Sequence, residues 1–178
     1  MNHRELIIEE LKKWKFDSIL DVGCGTGQDL EMIRKTFPEV RIAGMDKDRD
    51  RIIKATKTLG NIQLVVGDTA DLPFEDKSFD VVFTDALFVM IQDTGKVIRI
   101  MREMERVAKK YLLFLETHCV GDLTPEKYGT TMKNAQSYNI RNYEVLLSRF
   151  KPEFIKITKE VWPGIPWEFY GYLFKVTL

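Results

Sequence analysis

Cysteine and histidine are scarce in this 178-residue chain, with two of each: Cys24, Cys119, His3 and His118. So few cysteines exclude a disulfide framework and paired zinc ligands, and two histidines give no reason to expect a dedicated metal site. An excess of charge of either sign is missing too. The 27 Lys and Arg balance the 27 Asp and Glu, so no net field draws the chain to nucleic acid or to an anionic membrane. Long hydrophobic runs are also absent. The longest is Ala86 to Ile91, far short of the roughly 20 residues that span a bilayer. The opening MNHRELIIEELKKWK mixes both charge signs and lacks the apolar stretch and small-residue cleavage site of a signal peptide. A cytoplasmic protein without a membrane partner is therefore expected.

What is present is globular. Hydrophobic residues make up 44% and charged residues 30%, which excludes disorder for the bulk of the chain, and the length fits one domain. β-rich apolar runs occur at Ser18 to Val22, Val40 to Met45, Ile62 to Val66, Phe79 to Thr84 and Tyr111 to Glu116. Between them lie helical patterns at Gln28 to Thr36, Asp48 to Leu59 and Thr94 to Lys109, after a short amphipathic opening. Near-continuous apolar strands alternating with helices predict a doubly wound α/β fold around a mostly parallel sheet. The last third differs. A polar stretch from Thr117 to Asn142 precedes a helix candidate, Tyr143 to Phe150. Two β-like runs, Glu153 to Trp162 and Glu168 to Leu178, flank the turn WPGIPWEF and predict a terminal antiparallel hairpin.

The sharpest local signal is DVGCGTGQDL, Asp21 to Leu30, where the first strand hands over to the first crossover helix. Its glycines allow a tight turn and close approach of a ligand, and the helix that follows offers its positive end. Gln28 stands where a dinucleotide fingerprint would have its third glycine, and no nucleoside triphosphate loop is present, so both phosphate-centred readings weaken. The second strand ends in GMDKD, where Asp46 can accept two hydrogen bonds from a ribose diol. The third ends in GDTADLPF, where Asp68 can accept from an exocyclic amino group. Asp68 and Asp71 could instead cap a short helix, and Asp46 could begin the next one.

In order and position these motifs resemble the class I S-adenosylmethionine-dependent methyltransferases, most closely the small single-domain ones. The resemblance covers about Ile19 to Glu116 and includes GDTADLPFEDKSFDVVFTDAL and MREMERVAKKYLLFLE. It implies a seven-stranded sheet closed by an antiparallel hairpin strand, with a cofactor core over 18–116, a substrate or lid segment over 117–150 and the hairpin over 151–178. It implies S-adenosylmethionine as cofactor. Asp21, Gly23, Cys24, Gly25 and Gly27 would line its methionine half, and Asp46 would hold the ribose with Lys47 flanking the adenine. Asp68, Thr69 and Ala70 would recognise the adenine, and Thr84 and Asp85 would lie beneath the sulfonium.

Many family members carry a histidine shortly after the fourth strand, where this chain has Val89 and Met90. His118 in LETHC is the replacement expected as proton acceptor, and Asp85 is the other catalytic candidate. The fourth strand ends in TDAL, without the motif used to methylate nucleobase amino groups. The residues Arg99, Arg102, Arg106 and Lys109 form a cationic stripe interrupted by Glu103 and Glu105, read as a solvated face and not as an RNA site. Tyr128, Tyr138, Arg141 and Tyr143 are candidates for a substrate pocket, with Trp162 and Trp167 from the terminal turn, while His3 and Arg4 would close the other side. The expected acceptor is a small molecule. A non-catalytic cofactor-binding scaffold and a methyltransferase acting on protein or RNA are the alternatives, and a homodimer is left open.

Overall fold

The computed structural model describes residues 2–118, 143–157 and 170–178. The chain opens with α1 (His3–Leu11), started by a capping box in which Asn2 accepts from the Glu5 N–H and Glu5 accepts from the Asn2 N–H. This satisfies donors that a helix start otherwise leaves bare. Then follow β1 (Ser18–Val22), α2 (Gln28–Thr36), β2 (Arg41–Asp46), α3 (Arg49–Leu59), β3 (Gln63–Val66), β4 (Phe79–Asp85), α4 (Thr94–Val107) and β5 (Ala108–His118). One helical turn at Tyr143–Leu146 precedes β6 (Glu153–Ile157) and β7 (Tyr170–Thr177).

The strands form one seven-stranded sheet in the order β3-β2-β1-β4-β5-β7-β6. The first five are parallel, and β7 runs antiparallel to both β5 and β6. The seven-stranded, doubly wound expectation is met. The hairpin lies at the sheet edge with its second strand inside, because β7 pairs with β5 from Tyr111↔Thr177 to His118↔Tyr170.

Alternation along the strands divides the core between the two sheet faces. Leu20, Val82, Leu112 and Phe114 meet Val97, Ile100, Met104 and Val107 of α4 on one face. Ile19, Val81, Phe83 and Leu113 meet Ile7 and Leu11 of α1, Leu30 and Ile33 of α2, and Ile52 and Leu59 of α3 on the other. Each helix buries one stripe at three-and-four spacing, which is why its period was readable.

Two boundaries differ from expectation. Helix α4 stops at Val107, since Ala108 is already extended and pairs with Phe79. Lys109 therefore lies on a strand, outside the supposed helical stripe. The segment from Tyr143 to Phe150 is two short pieces, one α-helical and one 3-10. No helix follows β3 among the described residues up to β4.

Candidate cofactor crevice

The chain leaves β1 toward β2 and β3 and then returns to β4 on the opposite side of β1, so the C-terminal ends of β1 and β4 flank a topological switch point. Helices diverge there and leave a crevice. The glycine loop sits at this point and is pinned from β2. The Gly23 and Cys24 N–H groups both donate to the Met45 carbonyl, at 2.7 and 2.9 Å. The Gly25 N–H donates to Asp46 Oδ2 at 2.9 Å, while Asp46 Oδ1 accepts from the Asp48 N–H at 2.9 Å. Asp46 thus ties the loop to the turn after β2. It does not begin α3, whose N-cap is Asp48. Carboxylate oxygens accept more than one hydrogen bond, so this duty is compatible with holding a diol.

Two glycines of the loop serve different ends. Both have positive φ, +54° at Gly25 and +81° at Gly27. A Cβ at Gly27 would lie 2.5 Å from a Leu59 methyl, so this glycine lets α2 seat against α3. A Cβ at Gly25 would meet nothing within 4 Å. The missing side chain there leaves bare backbone facing open space, the cradle a closely approaching ligand needs.

A crevice of about 450 Å³ lies over this backbone, lined by Gly23, Cys24 and Gly25, by Asp29 and Asp85, and by His3 and Arg4 of α1. The opening helix closes the other side, as expected. His3 Nε2 lies 3.4 Å from Asp85 Oδ2, and Arg4 Nε lies 3.1 Å from Asp29 Oδ1 and 3.9 Å from Asp85 Oδ2. Asp21, on β1, is buried, and its Oδ2 has no hydrogen-bond partner. Burial, followed by repulsion from Asp29, Asp85 and Asp46, holds the Asp21 carboxyl well above the usual carboxylate range. Asp29 is pushed up to about 7, by burial first and then by Asp85, against the lowering effect of Arg4 and His3. Burial first, and then Asp21 and Asp46, push the Cys24 thiol up, which disfavours the thiolate.

The other expected residues divide. Asp68 is exposed at the turn after β3, accepting from the Ala70 N–H at 3.0 Å and pairing with Lys96 at 2.9 Å. Those two donors, the backbone one first, hold its carboxyl below the usual range. Thr69 is buried and Lys47 exposed. Thr84 is fully buried, and its hydroxyl donates to Glu116 at 3.3 Å. Tyr143 is a correction. Its ring is fully buried beside Phe88 and Phe174, in the core and not on a pocket wall. His118 ends β5 opposite Tyr170, and its side chain lies outside the described residues, as do Tyr128, Tyr138, Arg141, Trp162 and Trp167.

Asp29 and Glu116 escaped sequence reasoning. Asp29 resembles an ordinary first-turn acid placed to complement the helix dipole. Glu116 is fully buried at the end of β5, where it accepts from the Phe88 and Val89 N–H groups at 2.9 and 3.3 Å. It fixes the turn where relatives would carry their histidine. Its signal was a lone acid closing the apolar run YLLFL. The cationic stripe also dissolves. Arg106 binds the Leu72 and Phe74 carbonyls, Asp76 and Glu103, while Arg99 pairs with Asp93.

Residues 15–162 match a family model described as a methyltransferase domain. The chain belongs to the class I S-adenosylmethionine-dependent methyltransferases. This methyltransferase is similar to a demethylmenaquinone methyltransferase from Thermotoga maritima, at 30% identity over 107 residues, 60% of this chain and 45% of that protein. It is also similar to a fatty-acid O-methyltransferase from Mycolicibacterium smegmatis, at 36% identity over 66 residues, 36% of this chain and 24% of that protein. The chain therefore spans less than half the length of these relatives. In fold it matches a SAM-dependent methyltransferase from Methanosarcina mazei, with a TM-score of 0.75 at 20% identity, covering 99% of this chain and 98% of the other. The family's cofactor fits the crevice. An uncompensated buried carboxylate suits a ligand that carries an ammonium and a sulfonium, and the bare backbone at Gly25 suits its close approach. Among the described residues no cluster of side chains suited to a metal ion occurs, and no helix is long and apolar enough to cross a membrane.

Proposed function

We propose that this methyltransferase transfers a methyl group from S-adenosylmethionine to a small-molecule acceptor. The observation that carries the reading is the crevice at the switch point, with bare backbone at Gly25 on its wall and, on the adjoining β1, a buried Asp21 oxygen that has no partner. The cofactor, when bound, supplies a methyl group already activated by its sulfonium. The chain then has to position, exclude water and accept a proton. Asp21 and Asp85 offer negative charge to the methionine end and Asp46 offers acceptors to the ribose. Asp68, with the backbone at Thr69 and Ala70 and with Lys47 alongside, takes the adenine. Asp85 and His118, at the ends of adjacent strands, are the candidate proton acceptors. Holding the acceptor atom in line supplies most of the rate, because proximity alone is worth several kcal/mol.

Support for a small acceptor comes from the acceptors named for the two relatives and from the cationic stripe, in which Arg106 is engaged by Asp76, Glu103 and two carbonyls and Arg99 by Asp93. The test has two arms. Calorimetry should detect binding of S-adenosylhomocysteine, weakened by about tenfold or more in Asp46→Ala, with the unliganded stability of the variant measured alongside because Asp46 also anchors Gly25. No heat at millimolar ligand rejects the reading. Cell extract split by size should then support cofactor turnover in its low-mass fraction. Turnover confined to the macromolecular fraction rejects the small acceptor.

A further inference from the structure

Asp85 ends β4 on the crevice wall, and neither of its buried carboxylate oxygens accepts a hydrogen bond from the described residues. Oδ2 has His3 Nε2 at 3.4 Å and Arg4 Nε at 3.9 Å. The place of this carboxylate is therefore set chiefly by its backbone, and the backbone turns sharply at the next residue. Ala86 is left-handed, with φ +53°, a conformation that costs a residue with a Cβ and persists only where the surroundings enforce it. Strand β5 enforces it at two points. The Ala86 N–H donates to the Leu115 carbonyl at 2.8 Å, and the Phe88 and Val89 N–H groups donate to the carboxylate of the adjacent Glu116. Between the two points Leu87 packs on the glycine loop, where a Cβ at Gly23 would lie 2.8 Å from its methyl group. Glu116 also accepts from the Thr84 hydroxyl. Three donors on β4 and its turn thus converge on one carboxylate, whose two oxygens can serve them all.

We propose that Glu116 is a positioning residue for methyl transfer: it grips the turn after β4, holds Ala86 left-handed and so sets where the Asp85 carboxylate stands in the crevice. Fully buried, Glu116 acts through Asp85 and not on the reactants. The inference rests on Asp85 as a proton acceptor of the reaction. A misplaced Asp85 still lends its charge to the crevice, because Coulomb attraction falls slowly with distance. Proton acceptance fails sooner, since it needs hydrogen-bond reach. Loss of the grip therefore acts on turnover more than on ligand affinity.

The experiment compares the wild type with Glu116→Gln, which keeps the side-chain length but leaves a single oxygen for the converging donors. Urea denaturation establishes folding, calorimetry gives the affinity for S-adenosylhomocysteine, and turnover is measured with the extract fraction that supports it, titrated to saturation. Saturated turnover should fall about tenfold or more while affinity changes less than about threefold. In the Glu116→Gln background, Ala86→Gly should restore turnover several-fold, because glycine adopts the left-handed conformation without the cost. Undiminished turnover in folded Glu116→Gln, an equal loss of affinity, or a loss that Ala86→Gly does not relieve overturns the assignment. If Glu116→Gln does not fold, amide exchange in the wild type decides. The Ala86, Phe88 and Val89 N–H groups should exchange as slowly as those within β4, and fast exchange overturns the grip. A wild type that turns over with no fraction overturns the proposed transfer itself, a distinguishable result.

Discussion

Glu116 is buried at the end of β5 with its carboxylate against the Thr84 hydroxyl and two backbone N–H groups. Burial pushes its carboxyl up to about 8, with Asp85 adding to the rise and the backbone donors opposing it. An acid raised above its unfolded value favours the folded state most when both forms are protonated, below about pH 4.5, and loses that advantage as pH climbs toward 8. Wild type should therefore lose stability relative to Glu116→Gln across that window and show no further divergence above it, as measured by urea denaturation at several pH values. Parallel curves would remove Glu116 as the cause. Glu116→Ala, which strands two buried donors, should cost roughly 2 to 5 kcal/mol. The loop glycines give a second contrast. Gly27→Ala drives a Cβ into Leu59 and should lower stability by roughly 1 to 3 kcal/mol, while Gly25→Ala adds only backbone strain of about 1 kcal/mol. Gly25→Ala should instead weaken S-adenosylhomocysteine binding, so calorimetry and denaturation should rank the two variants in opposite orders.

At the scale of elements, α4 is more than a cover for one sheet face. Arg106 near its end clamps the segment before β4 by binding the Leu72 and Phe74 carbonyls, and Glu103 completes the clamp by accepting from the Leu72 N–H at 2.9 Å. Arg106→Met keeps the packing of the stem but removes these bonds, and should cost roughly 1 to 3 kcal/mol in urea denaturation, discounted because the side chain is partly exposed. If Arg106→Met is as stable as wild type, the clamp is ornamental. Read from sequence, Arg106 was one member of a basic stripe, because periodicity reports which face a residue occupies and not whom it meets across 30 positions. The same limit hid the inner place of β7, which depends on strand pairing and not on local pattern. By contrast, α2, α3 and β1 were legible nearly to the residue, since one face of each helix and the whole of β1 had to be apolar. The acids at strand ends were legible as a set because the fold places every parallel strand's C-terminus on one edge. That Asp29 belongs with them could not be read, since its role arises from Arg4, brought over from another helix.

At the scale of the whole molecule, the crevice is a joint product of elements far apart in the chain. The walls come from α1, the glycine loop and the end of β4, and the loop is anchored by Asp46 of β2. None of these survives alone, so a ligand bound there binds the native state and not the unfolded chain, and must raise the unfolding temperature by mass action. At a hundredfold excess over its dissociation constant, S-adenosylhomocysteine should stabilise the fold by about 2.7 kcal/mol. For a chain of 178 residues that corresponds to an increase in Tm of roughly 5 to 11 °C. Adenosine lacks the amino-acid end and, on the proposed reading, would engage only the β2 and β3 side, so it should give a smaller rise at equal concentration. Gly25→Ala should abolish most of the shift for S-adenosylhomocysteine while keeping an unliganded Tm close to wild type, because the added methyl group enters the crevice and not the core. Equal shifts for adenosine and S-adenosylhomocysteine in the wild type would mean that the carboxylates and Arg4 contribute nothing to binding, whatever their arrangement.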